Sequence, residues 1–300
     1  MDTLLIENRR IAARTQGRRH GPITRVVSPS GLGERIKPFV FLDFFDNQAA
    51  AEGPRFGIHP HSGIATITVL LEGDLRYEDT TGKAGLLPAG GVEWMRAGGG
   101  VWHDGAPLPG SRMFGLQLWI ALPAAEENGA PESQYVAPQS VPQEGPARVI
   151  LGSYGSARSP IRAPAGINYL DVRLKDGERW EYQPPAGHDV AWVYPVQGSL
   201  RAEGERVPRN ELVAFEEGES VLRFEARGDT RFVLGSAVKH PHDLVLGYYS
   251  VHTSAEALAT GEAGIQRIGE QLRASGRLYT SLGEHARAVF TKRSTNVTQQ

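Results

Sequence analysis

The 300-residue chain sets 32 Lys and Arg against 34 Asp and Glu, so no long-range field gathers phosphate backbones or anionic lipid, and direct nucleic-acid binding is not expected. It has no cysteine, which excludes a disulfide framework, a thiolate zinc site and a cysteine nucleophile; any metal has to sit on His and carboxylates. This length, with 40% hydrophobic residues, is enough for two domains of about 150 residues, each burying its own core.

The opening segment, MDTLLIENRRIAARTQGRRH, has an apolar run only from Leu4 to Ile6 and then scattered Arg, so it lacks the core of a signal peptide. Nowhere does an apolar run approach the roughly 18 residues of a membrane span. A cytoplasmic protein without membrane attachment is therefore expected. Short β-rich runs follow, punctuated by 36 Gly and 20 Pro: Pro38 to Leu42, Ala65 to Leu71, Phe114 to Leu122 and Val190 to Val196. Turn residues at intervals of about ten predict an all-β sandwich or barrel of many strands.

A weak internal repeat, Thr68 to Asp79 (TVLLEGDLRYED) against Val193 to Gly204 (VYPVQGSLRAEG), predicts that both halves share one barrel design. Between them, Pro123 to Pro146 carries no strong period and reads as a linker. The expected organisation is an N-terminal domain over 1–132 carrying the candidate metal site, a metal-free C-terminal domain over 145–290, and a flexible tail over 291–300. Ser254 caps a helical pattern of Ala257, Leu258, Ile265, Ile268 and Leu272 that stops at Gly276, with Gly261 and Gly264 as breakers that could divide it in two.

His59 and His61, in Gly57-Ile58-His59-Pro60-His61, stand at i and i+2 ahead of a strand, so both imidazoles project from one face of an extended chain. A glycine-rich turn at 98–100 delivers a third, His103, to another strand. Three neutral imidazoles on neighbouring strands suit iron, copper, nickel or zinc. On spacing alone, an isolated H-x-H is more often a pair of loop side chains bonded to backbone.

The block from His59 to Pro107, HPHSGIATITVLLEGDLRYEDTTGKAGLLPAGGVEWMRAGGGVWHDGAP, together with GLGERIKPFVFLDFFD before it, resembles the pirin family of the cupin superfamily. The resemblance implies two double-stranded β-helix (cupin) barrels packed together, with a C-terminal helical segment. It also implies one Fe(II) or another divalent first-row metal ion in the N-terminal barrel, held by His59, His61 and His103. The family's fourth ligand, a Glu two residues after the last His, falls on Gly105, which has no side chain. Asp104 points to the opposite face of a regular strand. Glu93 is the one nearby acid in reserve, although a surface or turn-satisfying role is the better expectation for it.

Two functions follow from the resemblance. One is a metal-dependent dioxygenase cleaving a flavonol such as quercetin, with a small aromatic or chelating ligand as partner. The other is a non-catalytic binding or regulatory protein with a protein partner, its metal site degenerate or empty. Elsewhere, Lys239-His240-Pro241-His242 reads as a loop, His188 as structural, and Pro184 and Ala186 stand where the C-terminal barrel would need ligands. Trp94, Trp102 and Trp119 are expected in core or pocket wall, with Trp102 facing away from His103.

Overall fold

A computed structural model describes residues 9–47 and 57–278. The expected tail over 291–300 lies outside these residues. The chain opens with β1 (Ile11–Thr15), β2 (Arg18–His20), β3 (Ile23–Val27), a single helical turn α1 (Leu32–Arg35) and β4 (Phe39–Asn47). It continues through β5 (His59–His61), β6 (Ile64–Glu72), β7 (Leu75–Asp79), β8 (Ala84–Leu87), β9 (Val92–Arg96), β10 (Val101–Pro107), β11 (Met113–Ala121) and β12 (Glu132–Val136). Strands β2 to β12 form a seven-stranded sheet in the order β12-β9-β6-β11-β4-β3-β2 and a four-stranded sheet in the order β5-β10-β7-β8.

The second half builds a nine-stranded sheet around two long strands, Val190–Ala202 and Leu222–Ala237. β1 leaves its own half and pairs antiparallel with Leu212–Phe215 of that sheet. The all-β architecture with a C-terminal helix is thus the observed one. Within it, the stretch that composition reads as linker contains β12, which extends the seven-stranded sheet by pairing with β9.

Strand β4 shows why the sequence FVFLDFFD is nearly all apolar: both of its faces are covered. Phe41, Asp43 and Phe45 line a cavity, while Leu42 and Phe44 join the core cluster that contains Trp192 and Tyr194 of the second half. Phe39 meets Trp192 edge-on at 5.5 Å and Phe44 meets Tyr194 at 5.6 Å, so aromatic contacts join the halves. Arg148 adds a polar tie, donating to the Gly90 carbonyl and to the fully buried Asp171.

The repeated segments differ in use. Gly73 (φ +85°) turns the chain from β6 into β7 of the other sheet, whereas Gly198 (φ +66°) only bends a strand that runs on through Ala202. The C-terminal helix α2 (Ala255–Ala274) is a single helix, capped by the Ser254 side chain on the Ala257 N–H and ended at Gly276 (φ +72°). The expected break at Gly261 and Gly264 does not occur. Both glycines serve close approach instead: a Cβ at 264 would lie 1.9 Å from the Gly99 carbonyl oxygen, and one at 261 would lie 2.5 Å from Ser62 and His252.

Candidate metal centre

The register of β5 against β10 sets His103 directly opposite His59, with His61 on the diagonal, so three imidazoles share one face of the small sheet. His103 Nε2 lies 3.1 Å from Nε2 of His59 and 3.1 Å from Nε2 of His61. The far nitrogens are fixed by backbone: His59 Nδ1 donates to the Gly57 carbonyl at 2.8 Å and His61 Nδ1 to the Tyr249 carbonyl at 3.0 Å. Both rings therefore carry their proton on Nδ1 and aim an Nε2 lone pair inward.

His103 has one Nε2 proton at most, so it cannot give both 3.1 Å contacts a full hydrogen bond. A shared cation resolves this. Cis ligands about 2.1 Å from one ion stand about 3 Å apart at right angles, the spacing His103 makes with each of the other two, and three neutral imidazoles suit a divalent first-row metal. Among the described residues these three histidines are the group whose donor atoms come together, within 4.8 Å of one another, and no carboxylate belongs to it.

Burial pushes the His59 imidazole down to about 3, helped by His103 and opposed by the Gly57 hydrogen bond; burial, His103 and His59 hold His61 well below its ordinary value against the Tyr249 hydrogen bond. His188 and His252 are also lowered, chiefly by burial. These histidines are neutral in the folded chain and charge near pH 6.5 in the unfolded chain. The folded state binds fewer protons, so the stability they confer is full above about pH 6.5 and is lost as pH falls below it, by up to about 1.4 kcal/mol per pH unit for each group until its own folded value is reached, about 3 for His59. Denaturant midpoints of metal-free protein should accordingly drop between pH 7 and pH 5. A midpoint that stays constant or rises over that interval contradicts the assignment.

His59 and His103 line a cavity of about 200 Å³, and the fully buried His61 stands beside them. Phe41, Phe45, Leu75, Met113 and Trp119 supply apolar lining, and Trp119 stacks on Phe41 at 4.0 Å while meeting His61 edge-on at 4.8 Å. A polar row crosses the opposing sheet between these apolar groups. Arg25 pairs with Asp43 in register, Asp43 with Gln117, Gln117 with Thr68, Thr68 with Glu93, and Glu93 with Tyr135. Arg25 grips Asp43 through two contacts of 3.0 Å; burial nonetheless pushes the Asp43 carboxyl up, against the pull of Arg25.

Sequence reasoning missed Arg25, Asp43, Thr68 and Gln117. The lone acid in the otherwise apolar FVFLDFF was the available signal. It also missed Tyr249, which lines the cavity and reaches it from the far end of the chain. That segment is locked down by a buried network: Ser62 Oγ contacts Ser250 Oγ and His252 Nε2, each at 2.9 Å, and His252 Nδ1 donates to Glu127 at 3.1 Å.

Glu93 is neither a surface nor a turn residue: it is 3% exposed and lines the cavity, because β9 lies between β6 and β12 with both faces covered. Gly105 lines the same cavity as His103, and Asp104 is not among the lining residues. Trp94 is core, Trp119 is pocket wall, and Trp102 faces α2, donating its indole N–H to the Ile265 carbonyl at 2.9 Å. His240 bonds the Leu122 carbonyl, and His188 bonds Ser236.

The pirin family model matches residues 22–120. A Pseudomonas aeruginosa protein carrying the provisional name quercetin 2,3-dioxygenase is 37% identical over 240 residues, 73% of this chain and 82% of the relative. A pirin-like protein of Caulobacter vibrioides is 37% identical over 211 residues, 67% of this chain and 75% of the relative. The crystal structure of quercetin 2,3-dioxygenase from Acinetobacter baumannii superposes with a TM-score of 0.80 at 23% identity, covering 87% of this chain and 98% of that one, and shows the same fold. With the histidine block on β5 and β10 and relatives matched over most of their length, the chain belongs to the pirin family.

Proposed function

We propose that His59, His61 and His103 hold one divalent first-row ion, Fe(II) in the first instance, and that the chain is a dioxygenase acting on a small aromatic, chelating ligand of the flavonol type. The observation that carries this reading is the convergence of three imidazole Nε2 atoms beside an aromatic-lined cavity whose wall includes His59 and His103. When bound, such an ion supplies Lewis acidity and a template for a hydroxyl and carbonyl pair. The chain's own residues do the rest. Trp119 and Phe41 stack a planar ring and exclude water, and the polar row from Arg25 to Glu93 offers donors and acceptors to ring substituents. The relatives named for quercetin dioxygenation support this choice of ligand.

Anaerobic Fe(II) loading followed by flavonol absorbance under air tests it. Metal-dependent loss of the flavonol, absent in His59→Ala, is expected. The alternative, a binding or regulatory role, is favoured by the lack of a carboxylate among the converging donors. It predicts bound metal with an unchanged flavonol spectrum.

Gly105 offers a second test. It is absent from the positive-φ glycines, and a Cβ there would meet only Leu75, at 3.4 Å or more, so the backbone does not require glycine. Gly105→Glu should therefore fold, point a carboxylate into the cavity and raise Fe(II) affinity by about 10-fold, the scale of one added hard ligand. Unchanged affinity would mean that position 105 does not face the ion.

A further inference from the structure

Four polar groups surround the Glu93 side chain or lie one step beyond it: His103, Thr68, Tyr135 and Asp79. The Glu93 Oε1 atom is 3.8 Å from His103 Nδ1 and 3.4 Å from the Tyr135 hydroxyl, which also donates to Asp79 at 3.1 Å. The side chains of His103 and Glu93 are 5% and 4% exposed, so the contact is made away from bulk water.

The three histidines differ in what stands behind them. His59 and His61 give their outer nitrogens to backbone carbonyls, whereas among the described residues His103 has the Glu93 carboxylate alone within ion-pair range. A metal-ligating imidazole whose outer N–H is taken by an acceptor is fixed in tautomer and orientation and becomes a stronger donor through its inner nitrogen; a carboxylate acceptor does this most strongly. The present 3.8 Å closes to a hydrogen bond with less than about 1 Å of side-chain movement.

Elimination leads to the same residue. Asp43, the other acid lining the cavity, is neutralised by the two-point contact with Arg25. Asp79 spends its oxygens on the Thr81 N–H, the Thr81 hydroxyl and Tyr135. Asp104 is not part of the cavity lining, and Gly105 has no side chain.

We infer that Glu93 replaces, from strand β9 and behind His103, the carboxylate that position 105 no longer provides: it is a positioning residue that fixes His103 and brings one negative charge to a three-imidazole site. The inference rests on the metal reading of the three histidines. In the bound state Glu93 accepts the His103 Nδ1–H, and the neutral ring presents its Nε2 lone pair to the ion. No net proton transfer is required.

The probe is Co(II), titrated anaerobically into metal-free full-length protein and followed by visible absorption, which reports affinity and coordination geometry without turnover. Glu93→Gln, nearly isosteric, should weaken Co(II) binding by 10- to 100-fold and change the band pattern. Glu93→Asp should lie between it and wild type. Adding Gly105→Glu to Glu93→Gln should recover affinity, because the site again holds one carboxylate. Metal-free unfolding of the same variants separates lost folding from lost ligation. Wild-type affinity and spectrum in Glu93→Gln, with binding lost in His103→Ala, overturns the role of Glu93 and leaves the metal reading standing. A wild-type chain that takes up no Co(II) overturns both.

Discussion

His103→Ala should abolish measurable binding of Fe(II) or Ni(II), lowering affinity by about 100-fold or more, beyond the 10- to 100-fold range typical of outer-sphere partners. His103 is the shared vertex of the triad, since both 3.1 Å Nε2 contacts pass through it. Without it, two imidazoles on one short strand remain, with no third donor across from them. The fold should persist, because the truncation removes a buried polar group together with two Nε2 contacts that one proton cannot both satisfy. The measurement is an anaerobic titration of wild type and variant with matched unfolding curves. His188→Ala, altering the histidine bonded to Ser236 in the other half, serves as the control and should bind metal as wild type does. Equal affinity in the His103 variant would place the ion elsewhere.

Glu127→Ala should produce the largest loss of stability. This carboxylate, 3% exposed, accepts from His252 Nδ1 at 3.1 Å, from the Thr253 N–H at 2.8 Å and from the Thr253 hydroxyl at 2.6 Å. Truncation leaves three donors without their acceptor in a dry setting, a cost of about 3 to 5 kcal/mol. For a chain of this size that is a fall in Tm of about 10 °C. A second effect follows from connectivity: the same network seats residues 249–252, and the Tyr249 carbonyl orients His61. Metal affinity should therefore drop by about 10-fold in molecules that remain folded. Differential scanning calorimetry with and without metal checks both. A Tm within 2 °C of wild type, on the scale of about 1 kcal/mol or less, would show the network to be dispensable.

How much of this was legible in the sequence depends on whether a residue's role is set by its neighbours along the chain or across it. His59 and His61 were readable because a period of two fixes their common face, and His103 because three glycines force the turn before it. The Ser254 cap and the Gly276 stop were local signals as well, and both occur. Glu93 was misread because VEWM has the look of a half-exposed strand; only its place between β6 and β12 buries it. Gly261 and Gly264 were read through propensity, while their actual role is to let the helix approach Gly99 and His252. β12 was hidden in a Pro- and Glu-rich stretch because edge pairing with β9 needs backbone more than side chains. Tyr249 lies 188 residues from His61, and nothing local signals that its carbonyl would reach that ring.

X-ray absorption on protein loaded anaerobically with Fe(II) and stripped of excess ion tests whether one ion sits on the three histidines. One ion per chain is expected, with scattering from three imidazoles at about 2.0 to 2.2 Å and a shell completed by light oxygen donors. Substoichiometric metal, or a shell without imidazole scattering, would contradict it.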